Sequence, residues 1–344
     1  MPLPLIPIIG GIIAATAAGV GIKKGIDAKD DMDSAKRINE EAQDIAKRAE
    51  KKLKSAKNDT SSAIENLGKQ KIDILSGSIN DFVLSFEKIQ NMDLRESEGI
   101  SELKNFHPGS PDFLKLKEVS MEASKVAVSG ISALGSGALL AFGTYNVVMG
   151  GLGGLLVTAT TGTAIGTLSG VAATNATLAW LGGGALAAGG FGIAGGMAVL
   201  GGLVAGPVLA IGGALLAKQA EEAYYDAKAN REKANTYAEQ INTICSTLGA
   251  IQKRASQLQE LLINLDSPLI ILVKEMESII QNKGTNWKSY SNVEKSQIFK
   301  CAQLAKTCKI VLDTSLLNEA GELMRESEKA LKTGYEFLDK FVAE

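Results

Sequence analysis

Few side chains in this 344-residue chain could carry covalent or proton-transfer chemistry. It holds one histidine, His107, and three cysteines, Cys245, Cys301 and Cys308. A serine or cysteine nucleophile needs a base within hydrogen-bond reach. The sole imidazole lies in "NFHPGSPDF", a turn by composition, where a structural or solvated histidine is expected. The cysteines are odd in number and widely spaced, which describes no disulfide framework. Cys301 and Cys308 stand seven apart and so share one helical face, as buried thiols in a reducing compartment would. "GFGIAG" matches G-x-G-x-x-G through Gly190, Gly192 and Gly195. A dinucleotide loop also needs an acidic residue about 20 positions on, and there the chain reads "GPVLAIGGALLA". No P-loop and no paired metal-ligand spacing occurs. The expectation is a protein that is not an enzyme, with no catalytic residue, no metal and no cofactor.

The chemistry of this chain is that of solvent preference. From Val126 to Ala217 there is no Asp, Glu, Lys, Arg or His. Those 92 residues hold 24 of the 37 glycines. Outside this block and the first 22 residues the chain is densely charged, yet balanced. Residues 1–125 carry 19 basic and 20 acidic side chains, and residues 218–344 carry 17 and 18. No basic stripe stands out, so nucleic acid is not an expected partner. Binding to anionic lipid by charge is not favoured beyond the cluster Lys51, Lys52, Lys54 and Lys57.

An uncharged run far longer than 20 residues is the standard signal of membrane insertion. Its glycines then acquire a role. Gly162, Gly166 and Gly170 are four apart, and Gly184, Ala188, Gly192 and Gly196 repeat the step. Ala198, Gly202, Gly206, Ala210 and Ala214 follow on another register. Small residues every four positions let helix backbones approach closely where lipid gives no hydrophobic drive. In water each interior glycine would cost about 1 kcal/mol relative to alanine. Two long or four short helices fit the block; an even number returns Lys125 and Lys218 to one side. A hydrophobic core sheathed by soluble helices is the competing reading. The first segment, residues 1–27, is a membrane-seeking or buried apolar stretch with prolines at 2, 4 and 7. Its lysines follow the apolar core instead of preceding it, so no standard secretion signal is read, although "ATA" at 15–17 could serve a cleaved one.

The rest must position that block. Residues 28–125 read as long amphipathic helices, with Ile38, Ala42, Ile45 and Ala49 at helical steps, "HPGSP" at 107–111 as a break and a new helix from about Pro111. Residues 218–344 read as a coiled coil and a C-terminal helical bundle. Ala234, Tyr237, Ile241, Ile244, Leu248, Ile251, Ala255, Leu258, Leu262 and Leu265 alternate steps of three and four, a heptad seam. From Ala220 to Leu265 such a helix runs roughly 70 Å. Ser267-Pro268 should break it or start a new turn, with a shorter helix over about 269–283. A last helical region is expected from about 291 to 342, with Ile298, Cys301, Ala305, Cys308 and Leu312 on its seam. The fold class is all-α: a long-helix bundle or coiled coil around a central Gly/Ala-rich membrane hairpin or helical bundle.

This layout, with small-xxx-small runs at 162–170 and 184–214 between helical stretches 28–105 and 218–265, resembles two groups of membrane-inserting proteins. One is the ClyA-like α-helical pore-forming toxins, whose helical bundle carries an apolar tongue. The other is the apolipoprotein L-like proteins, with a Gly/Ala-rich hairpin between amphipathic helices. The resemblance implies a toxin or immunity-type effector that oligomerises and permeabilises a bilayer. Its expected partners are the lipid bilayer and further copies of itself, with a second protein component left open. It is expected at the membrane, soluble or not before insertion. A constitutive membrane scaffold recruiting a partner through its coiled coil is the alternative.

Overall fold

In the computed structural model, the described residues are 22–92, 106–129, 220–317 and 322–343. Their regular elements are all helical: α1 (Ile22–Ser76), α2 (Ser78–Phe86), α3 (Pro111–Ser129), α4 (Ala220–Lys283), α5 (Asn292–Leu312) and α6 (Arg325–Ala343). Two isolated bridges, Gln90 with Asn286 and Leu317 with Leu323, are the described extended pairings. The all-α class is therefore observed for this part of the chain. The central block at 130–217 and the first 21 residues lie outside the described residues. The N-terminal stretch 1–27 and the helical stretch 28–125 meet inside α1, which already begins at Ile22.

Compact units divide the chain in two. The first comprises Met1–Ala56 and Ala205–Ser246; the second comprises Lys57–Val204 and Thr247–Glu344. In the first unit, α1 and α4 pair through small residues. Ala35, Ile38, Ala223 and Ala227 form a buried cluster with Tyr224 packed against it. Alanines at the contact let two backbones lie close, at the expense of apolar area per residue. Polar clamps flank the stripe: Asn230 donates to Asn39 at 3.1 Å, and Lys52 donates to Asn242 at 2.7 Å.

The second unit has the larger core. Within it α1 and α2 run parallel to α4, with Thr60 donating to the carbonyl of Leu248 and Ser85 to Glu277. Gly77 separates α1 from α2. Its ψ is −107°, and a Cβ there would come to 3.0 Å of the Asp73 carbonyl oxygen. The Ser76-Gly77-Ser78 sequence thus bends the rod where a larger residue would clash. Ser110 opens α3: its hydroxyl accepts from the backbone N–H of Phe113, and Pro111 fills the first helical position, where no N–H partner is needed. α3 returns antiparallel to α2, with Lys117 bonded to Glu87 at 2.6 Å and Ser124 donating to the carbonyl of Ser76. Between them four rings interlock. Phe82 lies 5.0 Å from Phe86, 6.2 Å from Phe106 and 6.3 Å from Phe113.

Contrary to expectation, α4 does not stop at Ser267-Pro268; it runs unbroken to Lys283 with Pro268 inside. Proline costs a helical hydrogen bond and crowds the preceding turn. Leu265, Leu269, Val273 and Met276 nevertheless continue the buried stripe, so packing outweighs that cost. The C-terminal region also departs from one continuous pattern. α5 ends at Leu312, and α6 turns back along it. Gln297 reaches Glu275 of α4, whereas Arg254 of α4 reaches Ser327 and Glu328 of α6. α5 therefore runs antiparallel to α4, and α6 runs parallel to it. Gly334 makes the close approach possible, since a Cβ there would meet Leu261 Cδ2 at 2.6 Å. Ser291 and Glu294 close a reciprocal capping box at the start of α5.

Phe82 is fully buried among these rings, whereas Leu114 on α3 is 49% exposed. Phe82→Ala should lower the unfolding free energy by about 3–5 kcal/mol, and Leu114→Ala should change it by less than about 0.5 kcal/mol. Urea titration followed by circular dichroism measures both.

Candidate functional site

The residues expected to pack helices in a membrane are Gly162, Gly166, Gly170, Gly184, Gly192, Gly196, Gly202 and Gly206. All eight lie outside the described residues. What is described is the machinery on either side: α3 leads into the uncharged block, and α4 begins three residues after it. Among the described residues no helix is long and apolar enough to cross a membrane.

The expected seam residues of α4 are placed individually. Ile241, Leu248, Ile251, Leu258 and Leu262 are buried, and Ile244 is half-buried. Within this chain they face partners of their own. Leu258 and Leu262 enter the large core with Ile64, Leu67, Ile72 and Ile74 of α1. At Ile251, Leu258 and Leu262 the apolar stripe is covered inside one molecule.

A polar line accompanies that apolar one, and it was not read from the sequence. Ser78 donates a hydrogen bond to Asp266, and Ser85 donates to Glu277 at 3.1 Å. Asp73 and Asp266 repel one another, as do Asp81 and Glu277. Burial first, and then the facing carboxylate, holds Asp81 above the usual carboxylate range. Asp266 is raised by burial, against the Ser78 hydrogen bond, which stabilises the carboxylate, with Asp73 adding to the rise. Nothing in the spacing of these acids marks them, because each partner lies on a different helix.

The candidate chemical groups remain apart. His107 sits in the turn before α3, its Nδ1 3.0 Å from the Pro108 carbonyl oxygen, with Gly109 at φ +92° completing the bend. Cys301 and Cys308 are buried, and burial pushes both thiols far up from the ordinary range. Neither is poised as a nucleophile. Cys245 is partly exposed, in the other unit. A shallow groove of about 450 Å³ runs between α5 and α6, with Ile310, Val311, Phe337 and Phe341 on its floor and Lys306 and Lys340 at its margins. No cluster of three metal-ligating side chains occurs among the described residues.

Compared with known proteins, the chain matches no family model, no curated protein and no solved structure. Neither the ClyA-like nor the apolipoprotein L-like class is joined to it by a match.

The thiols offer a direct check on the two units. Native protein should titrate one cysteine with a thiol reagent within minutes, and mass spectrometry should place the adduct on Cys245. Cys301 and Cys308 should react only after denaturant is added.

Proposed function

We propose that this protein inserts its uncharged segment, residues 126–217, into a lipid bilayer, oligomerises there and makes the membrane permeable. The observation that carries this reading is the 92-residue run without a titratable side chain, held between helices that bury their own apolar stripes. Burial of even a few tens of apolar side chains, at about 1.5–3 kcal/mol each, exceeds the 5–15 kcal/mol that typically holds a folded body together. Small residues at four-residue steps supply the close helix contacts that lipid does not drive.

The start of α4 adds support. Tyr224 and Tyr225 follow the block closely, their rings edge to face at 5.8 Å, and Tyr225 is 61% exposed. Lys228 lies over the Tyr224 ring at 4.5 Å. A tyrosine pair with one ring exposed and the other half-buried beside a lysine suits the boundary between headgroups and water, where amphipathic rings concentrate. The finer likeness to ClyA-like or apolipoprotein L-like proteins belongs to this proposal, and so do self-association and location at the membrane.

Dye release from liposomes, with flotation of the same samples, tests the reading. Release together with flotation is the expected result. Flotation without release would favour a membrane scaffold; neither would leave the block as a permanently sheathed core. Gly192→Leu with Gly196→Leu keeps the segment apolar but closes the small-residue stripe. That double variant should still float and should release dye at least about tenfold more slowly. Equal leakage would remove the glycine stripe from the mechanism.

A further inference from the structure

Lys71, in the second unit, is fully buried, with no exposed surface. It lies on α1 between Leu67 and Leu75, on the face that enters the main core. Its ammonium nitrogen reaches the carbonyl oxygen of Thr314, 3.3 Å away, just beyond the end of α5. The charge of Asp313 acts on it. That carboxylate already serves a second lysine: Lys309 Nζ lies 2.7 Å from Asp313 Oδ2, with side chains only 9% and 14% exposed. Two lysines and one aspartate are thus gathered in one buried place.

We infer that Lys71, Lys309 and Asp313 form a proton-sensitive latch that holds α1 against the end of α5 and loosens on acidification. With Lys71 neutral, Lys309 and Asp313 make a balanced ion pair, and the amine still donates to Thr314. Adding a proton leaves an excess positive charge in the core, which water would solvate far better. Burial lowers the Lys71 pKa to about 7, against the raising influence of Asp313. A lysine that holds its proton less tightly folded than unfolded favours opening on acidification. The loss runs from the ordinary lysine range down to about 7 and is complete just below it.

Other charges bear on the site with different signs. On α1 itself Lys69 and Asp73 lie two residues to either side, both exposed. From α4 comes Asp266, which faces Asp73 and the Cys308 thiol of α5. Burial raises the pKa of Asp73 and Asp266, so their protonation would tighten the fold and cannot produce the acid loosening. The latch rests on the membrane reading only for its purpose, as a trigger in acidified surroundings. Its physics is independent of lipid.

Hydrogen exchange of the full chain, corrected for the intrinsic pH dependence of exchange, reads the latch directly. Protection of peptides covering 57–76 and 300–317 should fall about tenfold between pH 8 and pH 6, and Lys71→Met should abolish that fall. Lys309→Met leaves Asp313 to Lys71 alone and should move the fall to higher pH, which decides the matter if Lys71→Met does not fold. An unchanged pH dependence in Lys71→Met, or no fall in the native protein, would overturn the latch. Dye release measured on the same samples separates the two proposals. Altered exchange with no leakage at any pH supports the latch and removes the permeabilising reading.

Discussion

Each of the two units depends on its stretch of α1 lying parallel to its stretch of α4, joined in the second unit by α2. The hydrogen bonds that join them show the register. Within the first unit, Asn39 with Asn230 and Lys52 with Asn242 are separated along the chain by 191 and 190 residues; within the second, Thr60 with Leu248, Ser78 with Asp266 and Ser85 with Glu277 are separated by 188, 188 and 192. A separation that hardly changes means that the helices advance together. Antiparallel neighbours need only a short turn, but parallel ones need a return connection. Residues 93–219 join α2 to α4 in sequence, and α3 is the helix described among them.

The seam of α4 was legible because buried leucines and isoleucines at steps of three and four leave a clear trace. Its partner was not. Periodicity shows which face is buried, without telling whether a second copy or another part of the same chain covers it. The break at "HPGSP" and the start of α3 could be read from Ser110 and Pro111, where local chemistry decides. Pro268 misled, because its local cost is outweighed by Leu265, Leu269 and Val273, which keep their places in the core. The reversal between α5 and α6 was hidden for a related reason: an apolar count over about 291–342 shows buried faces and not the direction in which each helix runs. The glycine stripe, by contrast, was readable as a pattern only, since its meaning depends on a solvent that no sequence names.

The polar groups between the helices work differently from the apolar ones. Apolar burial is tolerant of small shifts, and it would allow α1 to slide by a turn along α4. Ser78 and Ser85 do not tolerate such a shift, because each would lose the carboxylate that accepts its hydrogen bond. A one-turn slip would also leave Asp266 buried without its donor, a cost of order 1–3 kcal/mol for a neutral group and more for a charge. The serine–carboxylate pairs therefore specify register, while the leucines supply the attraction. The repulsion of Asp73 by Asp266 and of Asp81 by Glu277 comes with that arrangement, since the acids that accept from serine must sit near others on α1 and α2.

Two opposite responses to protons are consequently built into one unit. The carboxylates of the α1–α4 line sit above their ordinary range, so the folded state holds their protons more tightly than the unfolded chain does. Acid relieves their desolvation and repulsion and stabilises that line. Lys71 has the reverse sign, and its proton arrives first, near pH 7 instead of in the carboxylate range. As pH falls, the contact of α1 with the end of α5 weakens before the contact of α1 and α2 with α4 is strengthened. Acid would thus separate α1 from α5 while leaving the parallel pair intact.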